Sequence, residues 1–135
     1  MNQEMKYTKS IEDYLEVILM LVKQAENQGV RISDIARELD VKKPSVVRAV
    51  NELKTKKLVN HKPYGKIYLT DIGHQKANQI LDKHELLYRF LSEIIGVEPK
   101  TAEIEACAIE HCICEETYLK LKKFINNWEK SDYNV

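Results

Sequence analysis

Residues 33–56 read SDIARELDVKKPSVVRAVNELKTK, and this stretch decides the fold. Ser33 is a good helix N-cap, with Ile32 an equal alternative start. Ile35, Ala36 and Leu39 make the apolar face of a short helix that ends near Asp40. Val41-Lys42-Lys43 is a tight turn, and Pro44 suits the first turn of a helix, where its missing N–H costs nothing. The next helix is predicted from Pro44 to about Lys56, with Val46, Val47, Val50 and Leu53 as its buried stripe. Short helix, tight turn and second helix with open polar positions is the helix-turn-helix plan.

The flanks agree with that plan. Downstream, Leu58-Val59-Asn60-His61 and Lys66-Ile67-Tyr68-Leu69-Thr70 surround Lys62-Pro63-Tyr64-Gly65, which reads as a hairpin forming a wing. Upstream, Ile11, Leu15, Ile18, Leu19 and Val22 recur at helical spacing over residues 8–26. Asn27-Gln28-Gly29 ends that helix, and Val30-Arg31-Ile32 can extend. Beyond the wing, a long helix is expected from Thr70-Asp71 to about Ile95, broken by Gly96. Two more are expected, from Pro99 to about Cys114 and from Glu115 to about Trp128. The fold class is therefore mainly α. Residues 1–73 form a winged helix-turn-helix domain with a two-stranded wing, and residues 74–135 form a helical domain.

Bulk properties narrow the function. Apolar residues make up 44% of the chain and charged residues 31%, enough for both a core and solubility. No apolar run approaches the roughly 20 residues needed to span a bilayer, and the N-terminus does not resemble a signal peptide. A cytoplasmic protein with no membrane partner is expected. The formal charge is zero, yet residues 40–66 hold 8 basic and 2 acidic residues. Such a concentration is either a solvated face or a phosphate-contacting surface. Its coincidence with the helix pair and hairpin favours double-stranded DNA. Arg48 could pair with guanine, and Lys43, Ser45, Asn51 and Lys54 share its helix. Ser33, Lys42 and Pro44 stand at the helix starts, and Lys62, Tyr64 and Lys66 stand in the wing.

A second set of residues carries metal chemistry. Cys107, Glu110 and His111 are spaced i, i+3 and i+4, so their side chains converge on a helix, and Glu103 lies one turn earlier. Asp13 and Glu16 are three apart on the first helix, and His84 belongs to the fourth. Carboxylate, imidazole and thiolate together suit a transition metal in a helical fold. Each group also has an ordinary reading: solvated carboxylates, a packed histidine, a small core cysteine. The odd number of cysteines, Cys107, Cys112 and Cys114, makes a poor disulfide framework. Burial is the default reading for Cys112.

The chain resembles the diphtheria-toxin-repressor (DtxR) family of metalloregulators, and within it the short manganese-responsive branch without an SH3-like domain. The resemblance rests on Glu12-Asp13-Tyr14-Leu15-Glu16, Ser33-Asp34-Ile35-Ala36, Pro44-Ser45-Val46-Val47, Leu69-Thr70, His84-Glu85-Leu86-Leu87, Phe90-Leu91, Ile95-Gly96-Val97 and Ile109-Glu110-His111. It implies that Asp13, Glu16, His84, Glu110 and His111 are metal ligands. Cys107 departs from the manganese branch, which has glutamate there, and is similar to the iron branch. The iron branch in turn has methionine at Asp13, glutamate at Tyr88 and histidine at Glu103. The thiolate tilts the expected effector from Mn(II) towards Fe(II), with Co(II), Ni(II) or Zn(II) able to substitute in vitro.

The implied function is a metal-dependent repressor of metal-homeostasis genes, acting as a homodimer. A metal held by both halves would set the separation of two recognition helices to match operator half-sites. Leu86, Leu87, Phe90, Leu91 and Ile94 are candidates for pairing, with Leu119 and Leu121, or for the chain's own core. Two other classes compete. One is a winged-helix regulator of a small organic ligand with no metal dependence. The other is a metalloenzyme, for which there is no Gly-rich phosphate loop, His-Glu-x-x-His run or nucleophile arrangement. No catalytic residue and no organic substrate are expected.

Overall fold

The computed structural model describes residues 10–63 and 65–132. The chain divides into two compact units, residues 1–79 and 80–135. It is mainly helical, with one two-stranded sheet among the described residues.

The first unit is built on three helices. Helix α1, Ile11–Gln24, starts at a capping box in which Asp13 N–H donates to Ser10 Oγ at 3.2 Å and Ser10 N–H donates to Asp13 Oδ2 at 2.8 Å. Helix α2, Ile32–Leu39, begins at Ile32, so Ser33 lies inside the first turn. Asp34 caps it by accepting from Arg31 N–H at 3.0 Å. Asp40 then turns left-handed, at φ 52°, and Val41 N–H donates back to Ala36 O. That turn delivers the chain to helix α3, Lys43–Thr55. Ile18, Ile35, Val46, Val50 and Leu53 meet in the core between these helices.

Val47 corrects an expectation. The buried stripe of α3 is Val46, Ala49, Val50 and Leu53, and Val47 is 42% exposed. At about 100° per residue, Val47 falls off the stripe's edge onto the open side.

Strands β1, Val59–His61, and β2, Ile67–Leu69, pair antiparallel, with Val59 opposite Leu69. Val30 adds a single bridge to Ile67, exchanging both backbone hydrogen bonds at 2.9 and 2.7 Å. Gly73, at the start of helix α4 (Asp71–Arg89), permits a close approach. A Cβ there would stand 1.9 Å from the carbonyl oxygen of Leu58.

In the second unit α4 passes into a π-helical segment, Phe90–Ile95, instead of continuing as α-helix. Ser92 Oγ donates to Tyr88 O at 2.7 Å, and left-handed Gly96 ends the segment. Helix α5 spans Pro99–Ile109, and α6 spans Glu115–Asp132. The α5 boundary differs from the expected Cys114. Residues 110–112 form a turn, which leaves Cys112 and Cys114 exposed, against the expectation that Cys112 is buried. Leu87, Leu91, Ala102 and Ala106 make this unit's core, with Phe90, Ile109 and Leu121 packed against it. The two alanines are fully buried, and their small side chains let α5 lie close to its neighbours.

Candidate metal centre and nucleic-acid interface

Helix α4 presents His84, and α5 with the turn after it presents Glu103, Cys107, Glu110 and His111. Ligand atoms of His84, Cys107 and Glu110 all lie within 4.8 Å of one another. His84 Nδ1 is 3.0 Å from Glu110 Oε2, and His84 Nε2 is 2.8 Å from Glu103 Oε1. His111 Nε2 is 3.2 Å from Glu110 Oε1. His84 and Glu110 are buried, Cys107 and His111 are half-buried, and Glu103 is exposed. The cluster is therefore open on one side and dry on the other.

The electrostatics call for positive charge. The sulfur of Cys107 and the carboxylates of Glu110 and Glu103 outweigh burial and push the His84 pKa up to about 11. Burial acts to raise Glu110, but His111 and His84 outweigh it and hold its carboxyl below the usual range. The C-terminal end of α5 adds its negative dipole end beside Glu110. Imidazole, sulfur and carboxylate donors around one buried, cation-demanding point fit a transition-metal ion.

Asp13 and Glu16 belong to α1 in the first unit, one helical turn apart and both half-buried. Asp13 is occupied in part by the helix cap. Leu86, Leu87 and Leu91 are buried, and Leu87 and Leu91 are covered within the chain's own core. Phe90 and Ile94 are half-buried, whereas Leu119 is 53% exposed.

The open side of α3 carries Lys43, Pro44, Arg48, Asn51 and Lys54, all exposed, with Lys42 just before it and Ser45 half-buried. Lys54 Nζ donates to His61 O at 3.0 Å, which ties α3 to β1. Ser33 is half-buried. Lys62 and Lys66 are exposed at the wing, and Tyr64 lies outside the described residues. Val47 also belongs to this open side and was missed in the sequence. The available signal was its spacing of three from Pro44 and four from Asn51.

Comparison with known proteins agrees with both halves. Residues 6–67 match "Iron dependent repressor, N-terminal DNA binding domain". Residues 70–134 match "Iron dependent repressor, metal binding and dimerisation domain". The chain is 37% identical to an uncharacterised HTH-type transcriptional regulator of Methanocaldococcus jannaschii, covering 90% of this chain and 97% of the relative. It is 33% identical to the HTH-type transcriptional regulator MntR of Oceanobacillus iheyensis, covering 95% and 85%. Among solved structures it resembles the manganese regulator SloR, with TM-score 0.78 and 28% identity over 89% of this chain and 55% of that one. It also resembles IdeR of T. acidophilum, with TM-score 0.74 and 32% identity over the same shares. The chain thus spans about half the length of these two solved chains.

Proposed function

The chain belongs to the iron-dependent repressor family of metal-dependent, DNA-binding transcriptional regulators, and from that premise we propose that it represses metal-homeostasis genes in response to Fe(II) or Mn(II). The observation that carries this reading is the convergence of His84, Cys107 and Glu110 on one buried point. Glu103 and His111 flank that point, and the family resemblance adds Asp13 and Glu16 to the ligand set of the loaded protein. The bound ion supplies fixed positive charge where the carboxylates otherwise need a proton. Cys107 adds a soft donor to a carboxylate-rich set, which favours Fe(II) over Mn(II). Co(II), Ni(II) and Zn(II) substitute in vitro.

Two copies pair through the helical half, and each places α3 in the major groove of one half-site. Pairing uses the part of Phe90 and Ile94 that the chain leaves open, together with exposed Ile95 and Ile104. Arg48 and Asn51 face the bases. Lys42, Lys43, Lys62 and Lys66 face phosphates. The ion shifts DNA binding only by holding the competent state more tightly than the other. The protein acts in the cytoplasm, and among the described residues no helix is long and apolar enough to cross a membrane.

The deciding experiment is a metal titration, anaerobic and buffered, against duplexes selected by the protein from a random pool. Operator binding that rises with Fe(II) at lower free concentration than with Mn(II) is the expected result. Activation by Mn(II) alone would refute the iron preference. Binding indifferent to every ion would refute the metal dependence.

A further inference from the structure

The apolar residues of α3 are divided unevenly. Val46, Ala49, Val50 and Leu53 are buried, and Val47 is left outside with 42% of its surface open. Around the helix it shares its side with Pro44, Arg48 and Asn51, at i−3, i+1 and i+4. Apart from Pro44, its neighbours on that side are charged or polar, and Lys43 and Lys54 stand beside it. Neither packing nor helix propensity accounts for a β-branched apolar residue here. It lies in the N-terminal half of a helix of the kind whose early residues approach base edges.

We infer that Val47 reads a thymine in the operator, seating its isopropyl group against the 5-methyl group in the major groove. The inference rests on α3 being the base-contacting helix. Thymine is the one DNA base with a methyl group in that groove, and valine has no hydrogen-bonding atom in its side chain with which to read another base. Arg48, next round the helix, can take the acceptors of a neighbouring guanine. Val47 therefore supplies apolar discrimination where Arg48, Asn51 and the lysines supply hydrogen bonds and charge.

The test replaces single thymines by deoxyuridine, which removes the methyl group and nothing else, in duplexes selected by the wild-type protein in Mn(II). Binding of wild type, Val47→Ala and Arg48→Ala is measured to each duplex. At one thymine per half-site, wild type should bind the deoxyuridine duplex about fourfold more weakly, the factor that burying one such carbon group is worth. Val47→Ala should bind both duplexes equally at that position, with its melting temperature measured alongside to keep any folding effect separate. The same thymine-to-deoxyuridine ratio in wild type and Val47→Ala at every position would overturn the inference, as would a wild type indifferent to every methyl group. Arg48→Ala separates the two levels. If it alters the selected sequence while Val47→Ala leaves the ratios unchanged, the Val47 assignment alone fails. If Arg48→Ala also leaves sequence preference unchanged, α3 is not the reading helix and both fail.

Discussion

Glu110 Oε2 lies 3.0 Å from His84 Nδ1, and both side chains are buried. Glu103 Oε1 takes the other ring nitrogen at 2.8 Å. A neutral imidazole has one N–H and can satisfy only one of these carboxylates as donor. A proton on each ring nitrogen lets the ring donate to both, and this pairing is what pushes the His84 pKa up to about 11. In the proposed loaded protein a divalent ion would supply that positive charge instead.

The first prediction follows from the sign of these shifts. His84 is raised from 6.5 to about 11, so its contribution to stability is whole below about pH 6.5 and is lost as pH rises towards 11. Glu110 is lowered, so its contribution is present above its unfolded value and is lost as pH falls. Thermal melts of chelator-treated wild type and His84→Gln should differ most near pH 6 and converge in alkali. A gap that widens with pH would contradict the assignment.

In its proposed ligand role His84 would be contested by metal and proton on the same argument. Apparent ion affinity should rise about tenfold per pH unit for each proton displaced. Isothermal titration in buffers of different ionisation enthalpy counts the released protons directly. Zero release would remove His84 from the ligand set.

In the proposed ligand set Cys107 is the one soft donor. Wild type loaded with Co(II) should show a sulfur-to-cobalt charge-transfer band in the near ultraviolet, absent in Cys107→Ser. Cys107→Glu should shift the order of half-activating concentrations towards Mn(II) over Fe(II). An unchanged Co(II) spectrum in Cys107→Ser would show that the thiolate is not a ligand.

Gly73→Ala tests the joint between β1 and α4. The new Cβ would meet Leu58 O at 1.9 Å, and backbone on both sides must move. A loss of about 1–3 kcal/mol is expected from chemical denaturation, the usual cost of overpacking.

Mutation can separate the capping role of Asp13 from its proposed ligand role. Ser10→Ala removes the cap acceptor of α1 and should cost about 1 kcal/mol while leaving ion affinity intact. Asp13→Ala should lower both. Equal ion affinity in Asp13→Ala and wild type would leave Asp13 a capping residue only.

Much of this was legible because it depends on local periodicity. Ile35, Val46, Val50 and Leu53 repeat at helical spacing and are buried where that spacing places them. Val47 was not legible, because an apolar residue beside a stripe obeys the same pattern as one inside it. The end of α5 was hidden for a related reason. Apolar residues continue on both sides of Glu110-His111, with Ile113 and the cysteines and no glycine or proline to stop the helix, yet it closes at Ile109. The π-helical segment Phe90–Ile95 leaves no signature in residue types. Candidate ligands could be picked by chemistry, but their convergence depends on Ala102 and Ala106 letting α5 approach, which is a tertiary fact.

The placement of Glu103, Cys107, Glu110 and His111 on α5 and the turn after it has a consequence for divergence. Most of the proposed donor atoms are encoded in one uninterrupted window, residues 103–111, remote in sequence from the proposed reading face of α3. On the proposed assignments, after a gene duplication a change of two or three codons in that window would retune the copy to a different ion while its operator stayed the same. Changes within α3 would conversely redirect a sensor to new promoters without altering what it senses. Signal and address can thus evolve as separate modules within one short chain.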